Sequence, residues 1–170
     1  MKNTISLMSG LVMSGVLLMG VVTGAADLMA EGRTLVVGKP VVLEGDLLSI
    51  GSQTFRLYGI DAPEKEQTCK GKNRTYDCGH ISTTGLMDLT AGVSSVACEP
   101  LGPDPEGVMI ARCLDPEGFD LSRQMIYTGW ALASPRSSED LHQLEAKSRA
   151  ARRGLWKWQV TPPWQWRVEQ

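Results

Sequence analysis

Between residues 34 and 60 the apolar residues, mostly Val, Leu and Ile, fall in short runs broken by Gly38-Lys39-Pro40, Glu44-Gly45-Asp46 and Gly51-Ser52-Gln53. Such runs, punctuated by Gly, Pro and acidic residues, predict short strands joined by turns, a β-meander. Residues 61–78 turn polar, with Pro63, Gly71 and two cysteines, and predict a loop long enough to suggest a functional segment. Over residues 79–90 the apolar positions Ile81, Leu86 and Leu89 take up helical spacing, and Gly92 supplies a stop. Residues 93–98 and 108–114 have strand character again, and the acidic, Pro-rich stretch between them predicts a hairpin with a long tip. Asp120 caps a second helix that stops at Gly129, and Ser137 or Ser138 caps a third, carrying Leu141, Leu144 and Ala151 and ending at Gly154. The order βββ-α-ββ-α-α, without repeats or linkers, predicts an α+β fold, mostly β: a five-stranded OB-fold barrel with three helices.

Ahead of this pattern, Lys2 precedes an uncharged apolar run over residues 5–22, and Thr23, Gly24, Ala25 and Ala26 offer small residues for cleavage. This is the layout of a signal peptide over residues 1–26, which makes residues 27–170 the mature domain, exported to the periplasm or secreted. An uncleaved N-terminal membrane anchor is the alternative, because the run sits at the lower length limit for a bilayer span. An exported chain can form disulfides, and Cys69, Cys78, Cys98 and Cys113 allow three pairings. The sequential one is the most economical, with Cys69–Cys78 closing a short loop and Cys98–Cys113 tying a hairpin. A metal–thiolate site has only Cys78-Gly79-His80 to recommend it, which is not zinc-ligand spacing.

The chain has 170 residues, with 17 Lys and Arg against 19 Asp and Glu and a net charge of −2. That balance excludes bulk electrostatic attraction to nucleic acid, so phosphate binding would need a local patch or a bound cation. Removing residues 1–26 takes away only Lys2, so the acidity persists in the mature chain. Arg149, Arg152, Arg153 and Lys157 form a basic group toward the C-terminus, for which a solvated helix face is the simpler reading. The Trp-rich tail, about residues 159–170, has no helical period and is expected to anchor to the barrel through its aromatic rings.

Phe55-Arg56-Leu57-Tyr58-Gly59-Ile60-Asp61-Ala62-Pro63-Glu64 ends a strand, and the Pro63 turn brings Asp61 and Glu64 to its mouth beside Arg56. Asp46 is the second acidic element. Converging carboxylates suit a hard cation such as Ca²⁺, which would draw a phosphodiester to an acidic protein while Glu64 works on a water. Tyr58 reads by default as a packed strand residue.

At these residues the sequence resembles the staphylococcal-nuclease-like, or thermonuclease, family, in its exported bacterial type. The resemblance rests on Glu44-Gly45-Asp46-Leu47 against a family Asp-Gly-Asp-Thr, on Arg56-Leu57-Tyr58-Gly59-Ile60-Asp61-Ala62-Pro63-Glu64, and on Arg153-Gly154-Leu155-Trp156. It implies an OB barrel with three helices and Ca²⁺-dependent hydrolysis of DNA or RNA, with nucleic acid as substrate and no stable protein partner, hence a monomer. It also implies that Asp46, Asp61 and the Ala62 carbonyl ligate Ca²⁺, that Glu64 is the base and that Arg56 clamps the phosphate. The family's second catalytic arginine falls at Val108, a loss worth roughly a factor of 10² for a donor to developing charge. Lys70, Lys72 and Arg74 on the loop are the expected substitutes for phosphate binding. The alternative is a degenerate nuclease-like module that binds nucleic acid or another anionic polymer without cutting it.

Overall fold

The computed structural model describes residues 34–170, so the signal peptide or anchor expected at residues 1–26 lies outside the described residues. The chain opens with β1 (Val36–Gly38), β2 (Pro40–Glu44), β3 (Leu47–Ile50) and β4 (Gln53–Leu57). The long loop carries three two-residue strands, β5 (Ile60–Asp61), β6 (Cys69–Lys70) and β7 (Thr75–Tyr76), and leads into α1 (Cys78–Thr90). Then come β8 (Val96–Pro103), β9 (Met109–Leu114), α2 (Leu121–Thr128), β10 (Leu132–Ala133) and α3 (Glu139–Ala150). A 3₁₀ turn (Gly154–Lys157) and the single-turn α4 (Pro163–Trp166) finish the fold.

One sheet runs in the order β1-β8-β9-β4-β3-β2, with β4 and β9 parallel and the other neighbours antiparallel. Its outermost members, β1 and β2, are successive halves of one bent strand separated by Lys39. One half pairs with β8 and the other with β3, so the sheet curls back on itself, as an OB-type fold requires. The break at Gly38-Lys39-Pro40, expected as a turn between strands, is therefore a bend inside one. Pro40 has no N–H for the ladder, and at Gly38 a Cβ would lie 2.5 Å from the Ile50 side chain. The acidic stretch expected as a long hairpin tip is mostly strand: β8 reaches Pro103, with a register shift between Pro100 and Gly102.

The three expected helices form, although α3 stops at Ala150, ahead of the end expected at Gly154. Asp77 and Asp120 accept backbone N–H bonds at the starts of α1 and α2, and Gly129 ends α2 at φ 82°. Their inner faces put Leu86, Leu121, Met125 and Ile126 onto Leu48, Phe55 and Leu57 of the sheet. A second apolar cluster joins Cys69, Cys78, Leu132 and Leu155 to Trp130, Trp156, Trp158 and Trp164, so the tail is anchored through its rings. The tail also contains a helical turn that no periodicity announced, started by Pro163 at its first position.

Both sequential disulfides are present, Cys69–Cys78 and Cys98–Cys113, and no cysteine is free. Cys98 and Cys113 are directly opposed on β8 and β9. Among the described residues, no helix is long and apolar enough to cross a membrane.

Candidate active site

The acidic residues reach one place because three backbone segments approach closely there. At Gly45 a Cβ would sit 2.0 Å from Ser82 Oγ and 2.8 Å from Ala62 Cβ, so this turn can pack between α1 and the β5 segment only as glycine. Asp46 follows, and its carbonyl accepts the Leu57 N–H at 2.8 Å, which ties it to the end of β4. Asp61 is held by the pairing of β5 with β10. Glu64 is fixed by a local turn, in which its carbonyl accepts the Gln67 N–H at 2.8 Å and its N–H donates to Gln67 Oε1 at 3.2 Å. The start of α1 presses on the same carbonyl, since a Cβ at Gly79 would stand 1.9 Å from the Glu64 oxygen.

These segments line an open cavity of about 440 Å³ together with Arg56, Tyr58, Asp104, Glu106, Arg136 and Arg167. Six carboxylates, Glu44, Asp46, Asp61, Glu64, Asp104 and Glu106, face three guanidiniums there, so the cavity is acidic. Asp46 is 3% exposed, and burial pushes its carboxyl up to about 7 against the opposing pull of Arg56. Arg56 stands 3.6 Å from Asp46, donates through Nε to Asp104 at 3.0 Å and through a terminal nitrogen to Glu106 at 3.3 Å. Desolvation lowers the Arg56 pKa, but those acids outweigh it and the net direction is up. Asp104 also accepts the backbone N–H groups of Glu106 and Val108, at 2.9 and 2.8 Å, which shapes the turn where β8 returns to β9.

Arg167, near the end of the tail, donates to both oxygens of Asp61, at 3.1 and 2.6 Å, and also to Glu64. Burial raises the Asp61 carboxyl above the usual carboxylate range even so, while the bond to Asp61 raises Arg167.

The structure thus gathers Arg56, Asp46, Asp61 and Glu64 on one cavity, with Ala62 buried beside them. It does not bring the loop cations there. Lys70 lines a separate cavity with Gln159 and Thr161, Arg74 stacks over the Tyr76 ring at 4.5 Å, and Lys72 is exposed on the same hairpin. Tyr58 is 37% exposed at the cavity wall, where a packed residue was expected, because it follows the last ladder position of β4. Asp104, Glu106 and Arg167 are cavity residues that sequence reasoning did not single out. Asp104 had a signal in its Asp-Pro-Glu-Gly turn. Arg167 had no signal for a place in this cavity, lying 106 residues from Asp61.

Chemically, the cavity combines hard oxygen donors with guanidinium donors, a set that can hold a cation and an anion together. Among the described residues, no group of three or more His, Cys, Asp and Glu side chains is arranged to hold a metal ion; the acidic core of the site is the pair Asp46 and Asp61.

The succinoglycan biosynthesis protein ExoI of Rhizobium meliloti (strain 1021) is 30% identical over 126 residues, 72% of this chain. The match spans 65% of that protein's own length. The family model described as "Staphylococcal nuclease homologue" matches residues 54–158, which include Arg56, Asp61 and Glu64. On that match, and on the curled sheet that carries the acidic cavity, the chain belongs to the staphylococcal nuclease homologue family.

Proposed function

We propose that this protein is an exported, Ca²⁺-dependent nuclease that hydrolyses phosphodiester bonds of DNA or RNA. The observation that carries the reading is the buried Asp46, whose charge is under-compensated, beside the buried Asp61 in a cavity shared with Arg56 and Glu64. The donor set fits the cation: two carboxylates, the Ala62 carbonyl and waters are hard oxygen ligands of the kind Ca²⁺ takes. When bound there, Ca²⁺ would offset the negative cavity and polarise a phosphoryl oxygen.

Arg56 meets the phosphate with N–H donors held by Asp46, Asp104 and Glu106, so its fork arrives already oriented. Glu64, on the rigid turn above α1, accepts the proton of the attacking water at its carboxylate. The apolar run at residues 5–22 and the two disulfides support export to an oxidising compartment. In this reading the protein works as a monomer.

Val108 supports a second reading, a module that binds an anionic polymer without cutting it, because it stands where a second catalytic arginine was expected. Hydrolysis of denatured DNA in Ca²⁺ or in chelator separates the two. The nuclease reading expects Ca²⁺-dependent cleavage and a Ca²⁺-induced rise in melting temperature that Asp61→Ala abolishes. Binding without cleavage supports the module, and an equal Ca²⁺ response in parent and variant removes Asp61 from the cation site.

A further inference from the structure

We propose that Arg167 is the second phosphate-binding arginine of this site, delivered by the C-terminal tail in place of a side chain at position 108. The proposal deepens the nuclease reading and rests on it. Three observations meet in it.

The first is position. Arg167 lines the same cavity as Arg56, with its side chain 43% exposed, whereas Lys70, Lys72 and Arg74 lie on another face. Arg112, on the strand after Val108, turns to Asp120 at 3.7 Å and to the Tyr58 ring at 5.8 Å.

The second is anchorage. Lys70 and Gln159 exchange backbone N–H bonds at 3.1 and 2.8 Å, which docks the tail on the hairpin clamped by Cys69–Cys78. The fully buried Gln67 donates to the Thr161 carbonyl at 2.6 Å, Pro163 is buried, and the Arg167 N–H closes α4 on the Pro163 carbonyl at 3.0 Å. A segment held this way places its guanidinium as part of the site. It is not built as a plug that must leave before substrate enters.

The third is charge. Arg56 already answers three carboxylates, so a phosphodiester needs another donor in the cavity. Arg167 stands there, on Asp61 and Glu64. A carboxylate has about four lone-pair sites, and the guanidinium takes one on each Asp61 oxygen. The contact therefore leaves Asp61 able to ligate a cation.

The test compares the full chain with Arg167→Gln, Arg167→Lys and the double variant Val108→Arg/Arg167→Gln, each checked for folding by thermal melts. Two readouts are used: initial rates on denatured DNA in Ca²⁺, and anisotropy of a short labelled single-stranded DNA in chelator across salt concentrations. For Arg167→Gln the rate should fall by roughly a factor of 10². The slope of log affinity against log salt should shrink by about 0.7, the value for one lost phosphate contact on a single strand. The Ca²⁺-induced melting shift should persist, Arg167→Lys should keep part of the rate, and Val108→Arg should restore part of it in the double variant. An unchanged rate and salt slope in a folded Arg167→Gln protein would overturn the proposal and leave a surface ion pair. A faster Arg167→Gln protein with a larger Ca²⁺ shift would overturn it in favour of an autoinhibitory contact. A parent that neither cuts nor binds the DNA overturns the nuclease reading itself, and the proposal with it.

Discussion

Replacing Asp46 by Asn should stabilise the metal-free protein at alkaline pH, and the size of the effect follows from where Asp46 sits. Its carboxyl is lifted from 3.8 to about 7 because burial denies the ionised form its water and Arg56 returns only part of that loss. Between those two pH values the native state holds a proton that the unfolded chain has already released. Stability therefore falls as pH rises through this window and levels off above it. The gap, at ~1.4 kcal/mol per pH unit, sets an upper bound of about 4 kcal/mol on the penalty at pH 8. Asn keeps an oxygen for the Ala62 N–H and cannot ionise, so it escapes the penalty. That bound already includes the attraction of Arg56 at 3.6 Å, and Asp104 and Glu106 stay on Arg56 at 3.0 and 3.3 Å in the variant; relaxation around the buried carboxylate makes the observed gain smaller than the bound. We expect a net gain of roughly 1–3 kcal/mol, worth about 2–4 °C of melting temperature per kcal/mol in a domain of this size. Urea unfolding followed by tryptophan fluorescence, at pH 4.5 and pH 8 in chelator, measures it. The variant should exceed the parent at pH 8 and approach it at pH 4.5. Added Ca²⁺ should reverse the order at pH 8, since it favours the ionised parent. A difference that does not change with pH, or a variant weaker than the parent at pH 8, would show that Asp46 is stably ionised and fully paired with Arg56.

Two further outcomes are expected. Gly45→Ala should unfold at lower temperature and lose the Ca²⁺-induced melting shift, because the added methyl collides with Ser82 and Ala62 and displaces Asp46; a variant with the parent's melting curve and Ca²⁺ response would contradict the packing. The double variant Cys69→Ala/Cys78→Ala should lose about 2–4 kcal/mol of stability by denaturant titration. Its tail should also become protease-sensitive ahead of the barrel, as the second apolar cluster contains both cysteines; an intact tail under limited proteolysis would show that the Trp rings suffice without the bridge.

Much of the barrel was legible because its signals are local. The Glu44-Gly45-Asp46 and Gly51-Ser52-Gln53 turns, the Asp120 cap and the Gly129 stop each act within a few residues, and each stands where the pattern placed it. The segment from Arg56 to Glu64 was legible for the same reason, since one turn beside Pro63 gathers its charges. Misread features are those where one residue type serves two geometries. Pro40 interrupts a ladder whether the chain reverses or merely bends, and only the distant partners Cys98 and Ile50 decide between the two. The acidic stretch before Asp104 looks like a loop because of its prolines, yet strand pairing with β9 overrides that composition. Arg167 was hidden for a simpler reason: nothing in a twelve-residue Trp-rich tail says which distant carboxylate it will meet.

The bent first strand also has a meaning in time. Seen from a folding chain, β2, β3 and β4 find one another through short turns, whereas Val36 has no partner until Cys98 has been synthesised and brought across. Closing the curled sheet is thus a late, long-range event, of the sort that slows folding and leaves an edge unpaired meanwhile. During that interval the apolar row Leu35, Val37, Val41 and Leu43, outward-facing even in the finished protein, flanks the open edge. Oxidation of Cys98 and Cys113 locks β8 to β9 and so prepares the surface that β1 must join. Refolding from the reduced state should therefore be slower and more prone to aggregation than refolding with the bridge intact.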